Sequence, residues 1–508
     1  MINYTSQDPP VVRADGALTL VGPTADVCTR CAENARLAQA PRQTLDLKGI
    51  TAPAFAPLIA ELQHHRTSTV TAIRSDLGLV STHRLKPGTC CEPVQDSTED
   101  TATPNGELRV PNPRTTAKAL KEALVDFRHG PVTALFKTGH LPLATVTAEL
   151  DAHTVGYGRT TSFEEAERTA IFELVERLNG MRPRTTAATE ASFDELGPAQ
   201  AVDPRTLGLD DETDTYDPSL KMRWVEGWSY TRSRKVLVPE QIAYWGVPGE
   251  RFVHETSNGC GLGNSLTEAV LHGLFEVAER DAFLMAWYGR TPLRRIKLPD
   301  DPLLHHLTDR LEELGYELLF LNATNDLKIP AVMTLARARH PGLPQAFFAA
   351  GASPDPVRAM RSAAVEVAVD VEGFADRVRS KPEDYEPERL KALLANPDLV
   401  RSMDDHVAVN TLEEAKERYA FLVGDEAPRH LDDRRTHTDL KHLLAHHVAA
   451  MKLEVIAVDQ SDPHTVNTLG LHAAKVVVPG ALPMTFGHRR TKGLPRLVLR
   501  QTHPHPFP

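Results

Sequence analysis

Residues 156–180 read GYGRTTSFEEAERTAIFELVERLNG, and residues 261–283 read GLGNSLTEAVLHGLFEVAERDAF. Laid over one another they keep a constant register. Ser162 and Ser265, Glu165 and Glu268, Ala166 and Ala269, Glu173 and Glu276, Glu176 and Glu279, and Arg177 and Arg280 are each 103 positions apart. Self-similarity of this kind marks an internal structural repeat. Each copy has a Gly-x-Gly loop, then a Ser-x-x-Glu capping signature that predicts a helix start, then Glu-x-x-Glu-Arg along the helix. A weaker third copy, SPDPVRAMRSAAVEVAVD at 353–370, keeps an acidic N-cap in Asp355, a first-turn proline in Pro356, Ala359 and Glu366, with Val369 and Asp370 in place of Glu and Arg.

Residues three and four apart share a helix face, so Glu173 and Glu176 stack on one stripe with Thr169 a turn earlier. In the second copy Glu268, His272, Glu276 and Glu279 form a line opposite Val270, Leu274, Val277 and Leu284. A solvated face has no reason to recur in register. Carboxylates converging from two or three helices repel one another unless a cation lies between them. Hard oxygen ligands in that number point to magnesium, which prefers a few carboxylates plus water and phosphate oxygens, so a nucleotide triphosphate is the expected companion and Arg177 and Arg280 are expected to hold phosphate. Neither Gly-x-Gly continues into a dinucleotide-binding or P-loop pattern.

The rest of the 508 residues sets the frame. At roughly 150 residues per domain the chain has two to four domains. Apolar residues at 41% and charged residues at 25% describe a folded globular protein. Lys plus Arg total 57 against 68 acidic residues, a net charge of −11, which argues against a nucleic-acid partner. No stretch approaches the ~18 apolar residues of a membrane span and the N-terminus lacks signal-peptide features, so a cytoplasmic protein without a membrane partner is expected. Strand-like runs (GPVTALFK, LATVTAEL, YELLFLNAT, IPAVMTLARA, LEVIAVD, AAKVVVPG) alternate with amphipathic helical segments, which predicts an α/β body with a mixed sheet. Residues 381–452 read as a charged helical layer on that body, and the proline-rich end as an extended tail. The expected division is an N-terminal region at 1–95, a linker at 96–117 and the body at 118–508.

The two repeated stretches resemble the ATP-site helices of YcaO-domain proteins, with GASPDPVRAMRSAAVEVAV as the third helix and VVVPGALPMTFGHRR near the end, over residues 118–508. The ending Pro504-His-Pro506-Phe-Pro508 is similar to the Pro-x-Pro-x-Pro tail of the azoline-forming cyclodehydratases in that family. ERLNGMRPR resembles the streptolysin-associated (SagD-like) branch. The resemblance implies a YcaO-type fold in which Glu173, Glu176, Glu276 and Glu279 bind magnesium, while Thr169, Arg177, Ser257, Asn258, Arg280 and Glu366 surround ATP. Thr169 stands where many members have serine, Tyr157 where many have lysine, and Val369 where many have glutamine. Arg159 offers a replacement for the missing lysine charge. Cys260 is expected to be a packed loop thiol beside the nucleotide.

The family's chemistry implies ATP-dependent cyclodehydration of Cys, Ser or Thr in a ribosomally made precursor peptide. The resemblance also implies a separate ubiquitin-activating-like or ThiF-like partner that captures the leader, with residues 1–95 as its docking surface, and self-association as a homodimer. The tail has two readings, a proton acceptor at the terminal carboxylate of Pro508 or at His505, or a plain docking segment. Thioamide or amidine formation, and a silent leader-binding scaffold, are the competing readings of the whole. Cys28, Cys31, Cys90 and Cys91 make either a structural zinc site, with His83 as an alternative fourth ligand, or a set of reduced thiols.

Overall fold

Three times along the chain a strand turns into a helix that lies back on it, and a glycine makes the contact possible each time. The computed structural model describes residues 12–15, 18–22, parts of 55–62, 69–74, 76–84 and 99–507, the last with short gaps at 105, 129, 141, 152, 182–187, 211–215, 248–250, 254–256, 432–436, 488–490 and 493. Residues 12–84 contribute an antiparallel sheet of β1 (Val12–Asp15), β2 (Leu18–Val21), β3 (Thr69–Arg74) and β4 (Leu79–Arg84), in that order. The first repeat is a meander of β5 (Ala134–His140), β6 (Leu143–Asp151) and β7 (Thr154–Thr160), followed by helix α1 (Phe163–Met181).

The second repeat belongs to a larger sheet. There β8 (Met222–Ser229), β9 (Arg234–Pro239), β10 (Cys260–Gly263), β14 (Ile456–Asp459) and β15 (His472–Val477) run in the order β9-β8-β14-β15-β10, and β10 leads into helix α2 (Leu266–Tyr288). The third repeat closes a sheet of β11 (Tyr316–Asn322), β12 (Ala331–Ala338) and β13 (Ala346–Ala352), with helix α3 (Pro356–Ser380) after β13. The strand pairs within these sheets are antiparallel. This is the α/β architecture expected from the alternation of strand and helix signals.

The helix starts follow the capping signals. Ser162 and Ser265 accept hydrogen bonds from the N–H of Glu165 (3.2 Å) and Glu268 (3.1 Å), and Asp355 accepts from Val357 (2.9 Å). Each side-chain oxygen satisfies an amide that the first helical turn leaves without a partner. Just before each cap, the strand runs against the helix backbone. A Cβ placed on Gly158 would stand 1.9 Å from the Ala166 carbonyl oxygen, one on Gly261 2.1 Å from that of Ala269, and one on Gly351 2.3 Å from that of Ala359. The glycine lies eight residues before the alanine in all three copies. Strand and helix backbones can approach this closely only without a side chain between them.

Helix α2 is apolar on most of its circumference and sits at the centre of the molecule. Its first half, with Val270 and Leu274 fully buried, packs against β15 and the helix Leu440–Ala450; its second half, with Phe283 and Trp287, packs against β12 and β13. Residues 99–116, read as part of a linker, are instead seated on the body. Leu440 N–H donates to Thr101 O (3.0 Å), Thr103 N–H to Thr438 O (3.0 Å), and Val110 is buried. Among the described residues no helix is long and apolar enough to cross a membrane.

The glycine contacts generate a stability prediction. Gly158→Ala and Gly261→Ala each force a backbone shift and should destabilise the protein by about 2–4 kcal/mol, whereas Gly139→Ala, where nothing lies within 4 Å of an added Cβ, should change little. Chemical denaturation of the three variants checks this, and equal stabilities would remove the close-approach argument.

Candidate functional site

The three helices bring their carboxylates toward one space, and each is already oriented by the adjacent strand or by an arginine. Glu173 on α1 accepts the N–H of Tyr157 on β7 (2.7 Å) and pairs with Arg177 one turn on (2.6 Å). Glu276 on α2 repeats the arrangement with the N–H of Gly259 (2.7 Å) and with Arg280 (2.6 Å). Glu279 accepts the N–H of Ala352 at the end of β13 (3.1 Å), which ties the second repeat to the third. Glu366 on α3 faces Arg159 of β7 at 3.5 Å, which ties the third to the first.

The charges are coupled across the helices. Burial pushes the Glu176 carboxyl up to about 8, aided by Glu276 and Glu173. Burial with Glu366 and Glu276 nearby does the same for Glu279, also to about 8. Glu366 is raised too, chiefly by burial, against the pull of Arg159. On all three helices burial is the main cause that disfavours the ionised form, with neighbouring carboxylates adding to it. Among the described residues no three His, Cys, Asp or Glu side chains close a coordination sphere by themselves. A cation among these carboxylates would take its remaining ligands from water or phosphate. Hard donors with room for water or phosphate oxygens fit magnesium.

Beside this space lies a cleft of about 390 Å³ lined by Tyr157, Arg159, Thr160, Thr161 and Thr169 from the first repeat and by Ser362, Val365 and Glu366 from the third. Thr169 is thus on the cleft wall. Val369 packs at the edge of an apolar cluster with Val367 and Val371, so the third copy contributes packing where the others contribute a carboxylate. Ser257 takes part in the turn before β10, its carbonyl accepting the Cys260 N–H (2.8 Å), and the Cys260 thiol is buried and donates to Gln460 Oε1 (3.7 Å). Asn258 is buried, accepts from Arg280, and donates to the carbonyl of Met484 (3.1 Å), so it links the site to the C-terminal segment.

That segment enters the core. Arg496 bridges Asp281, next to Arg280 on α2, at 2.8 Å, and also Asp326. Trp287 Nε1–H donates to His503 O (2.8 Å), and Phe507, buried, stacks on Phe283 with centroids 3.6 Å apart. His505 is fully buried, its Nε2–H donating to Thr485 O (2.7 Å), and its ring stacks on His406 at 4.2 Å. Burial holds His505 well below its ordinary protonation range. This corrects the proton-acceptor reading of His505, because a ring enclosed by protein has no approach to a reacting peptide; it anchors the tail instead. Pro508 lies outside the described residues.

Two other expectations change. Glu268 does not join the carboxylate line: it is fully buried against Arg109 (2.9 Å) and the N–H of Val110 (2.7 Å), and its neighbour His272 is pushed down to about 3 by burial and by Arg109. His83 is not open to a metal, since Nδ1 engages Asp126 (3.0 Å) and Nε2 engages Ser81 (2.7 Å). Cys28, Cys31, Cys90 and Cys91 lie outside the described residues. Sequence reasoning missed Asp281, Arg496 and Arg109; an ionisable residue on the apolar face of a helix, as Asp281 is beside Leu274 and Val277, was the available signal.

Residues 157–482 match the family model of the YcaO cyclodehydratases, described as binding ATP and Mg2+, and the chain belongs to the YcaO family. It is 27% identical over 367 residues, 66% of this chain and 83% of the relative, to an uncharacterised protein from the region 3′ of tfuA in Rhizobium leguminosarum bv. trifolii. Its fold is similar to that of a heterocyclase in complex with substrate and cofactor, with a TM-score of 0.72 and 20% identity over 94% of this chain and 73% of the other. It is also similar to YcaO from Methanopyrus kandleri bound with AMPPCP and Mg2+, with a TM-score of 0.50 and 24% identity over 69% and 86% of the two chains.

The raised carboxyls predict a pH dependence with a definite sign. Glu176 and Glu279 keep their protons in the metal-free native state up to about pH 8 but lose them near their ordinary value of 4.5 once unfolded. Between those values the native state holds more protons, so stability falls as pH rises. The melting temperature of metal-free protein should decline across this window, and Glu176→Gln with Glu279→Gln should flatten the decline. An equal slope in that double variant would contradict the assignment.

Proposed function

We propose that this protein uses ATP to activate backbone amides of a ribosomally made precursor peptide and converts Cys, Ser or Thr residues into azolines, as a member of the streptolysin-associated (SagD-like) branch. The observation that carries this reading is the meeting of Glu173, Glu176, Glu276, Glu279 and Glu366 from three repeated helices with Arg177 and Arg280 beside them. The first four carboxylates, with Glu366, would hold magnesium, which neutralises charge on the phosphates when bound. Family membership and the AMPPCP and Mg2+ bound by the Methanopyrus kandleri relative support the nucleotide assignment.

In this reaction the substrate thiol or hydroxyl attacks the preceding carbonyl carbon, and the resulting oxyanion takes the γ-phosphoryl group, releasing ADP. Loss of the amide proton and departure of phosphate with the former carbonyl oxygen then leave a C=N bond. The net change is one water removed per ring, with ATP converted to ADP and phosphate. Such phosphoryl transfer demands positioning and charge neutralisation rather than a protein nucleophile. Arg177 and Arg280 supply positive charge at fixed places, and Thr169, Ser257 and Asn258 provide polar edges for the nucleotide. The leader is held by a separate ubiquitin-activating-like or ThiF-like partner on residues 1–95, the body works as a homodimer, and the enzyme acts in the cytoplasm.

Glu276→Gln should leave the protein folded while phosphate release and ring formation fall at least about 10²-fold, because a neutral amide is a weak ligand for a hard cation. Mass spectrometry of a Cys-, Ser- and Thr-containing precursor incubated with protein, partner, ATP and magnesium reads one water lost per ring. Unchanged turnover in the variant would overturn the site, and ATP consumption with a gain of sulfur in place of water loss would replace azoline formation by another amide-activating reaction.

A further inference from the structure

Arg361, which also lines the cleft, is held by Asp301, and Arg177, Arg280 and Arg159 are not held alike. Arg177 is fixed twice, by Glu173 (2.6 Å) and by the carbonyl of Val155 (2.7 Å). Arg280 is fixed twice as well, by Glu276 (2.6 Å) and by Asn258. Arg159 has one long contact, 3.5 Å to Glu366, and otherwise rests its guanidinium 5.4 Å from the centre of the Tyr157 ring. It comes from a strand rather than from one of the repeated helices. On β7, residues 156 and 158 are the buried glycines that face α1, so alternation puts Tyr157 and Arg159 together on the other side, where both line the cleft. Tyr157 is 37% exposed, and its ring also lies 6.0 Å from the guanidinium of Arg177. An arginine set on an aromatic ring, weakly paired and open to a cleft is a cation kept available for an incoming anion.

We propose that Arg159, shelved on Tyr157, is a phosphate-contacting residue of this chain that leaves Glu366 for the phosphate chain of the nucleotide. The inference rests on the reading that the cleft takes ATP. Moving one guanidinium from Glu366 to phosphate serves both partners: the carboxylate is freed for a metal ion, and the phosphate gains a charge-assisted hydrogen bond. Tyr157 keeps the guanidinium near the cleft in both positions. A lysine would supply a point charge, whereas arginine can bridge two phosphate oxygens. The ring requires no hydroxyl for this task.

Calorimetric titration of the full chain with ATP, ADP and AMP, each with magnesium, separates the possibilities. Arg159→Ala should weaken ATP binding about 10- to 100-fold and AMP binding far less, and Arg159→Lys should recover part of the loss. Tyr157→Phe should bind ATP as the parent does, and Tyr157→Ala should bind it roughly 2- to 5-fold more weakly. The melting temperature of each variant without nucleotide, expected to match the parent, establishes that the protein is folded. If the parent binds ATP and Arg159→Ala binds it equally well, or loses AMP and ATP affinity to the same degree, the proposal is overturned while the nucleotide site stands. If the parent itself fails to bind ATP with magnesium, the nucleotide reading falls and this proposal with it.

Discussion

The close approach of Gly158, Gly261 and Gly351 to the carbonyls of Ala166, Ala269 and Ala359 is the constraint on which the arrangement depends. With the strand pressed to the helix, backbone N–H groups of the strand reach side chains two turns along that helix. Tyr157 can then hold Glu173, and Gly259 can hold Glu276. A larger residue at any of these glycines would move the donor away from the carboxylate it orients. The repeat thus conserves a distance between two backbones, and the functional side chains inherit their positions from it.

A second consequence is electrostatic. Helices that pack this closely carry their glutamates into a shared half-buried space, where burial and mutual repulsion disfavour the ionised form. Without a ligand the fold favours the protonated form of Glu176 and Glu279 up to about pH 8. Arg177 and Arg280 pair with the carboxylates one turn away on their own helices, and Arg280 also opposes the upward shift of Glu176 and Glu366 on the other two.

Much of this could be read from residue letters because the signals are local. The caps at Ser162, Ser265 and Asp355 lie within three residues of the amides they satisfy, and the Glu-x-x-Glu-Arg stripe needs only the helical period. What escaped reading depends on partners far along the chain. Glu165 and Glu268 occupy equivalent positions, yet Glu165 is exposed and Glu268 is buried, because Arg109, 159 positions upstream, meets only the second. Asn258 is shared between Arg280 and Met484, and Asp281 takes Arg496, 215 positions away. His505 looked reactive by type and by its place in a proline-rich tail; its enclosure by Thr485, His406 and Phe507 is a tertiary fact with no local sign. The third repeat was faint because Val369 had exchanged a polar role for packing.

The insertion of Arg496, His503, His505 and Phe507 alongside α2 bears on how the molecule is made. These residues fill a core whose other members, Phe283, Trp287 and Phe348, were synthesised more than a hundred residues earlier. On a ribosome, the earlier segments emerge with that slot empty and with apolar side chains facing water. Asp281 is without its Arg496 partner at that stage, and the adjacent Arg280 and Asn258 lack the segment that carries Met484. Completion of this half therefore needs residues 484–507, which are made more than a hundred residues after Phe348.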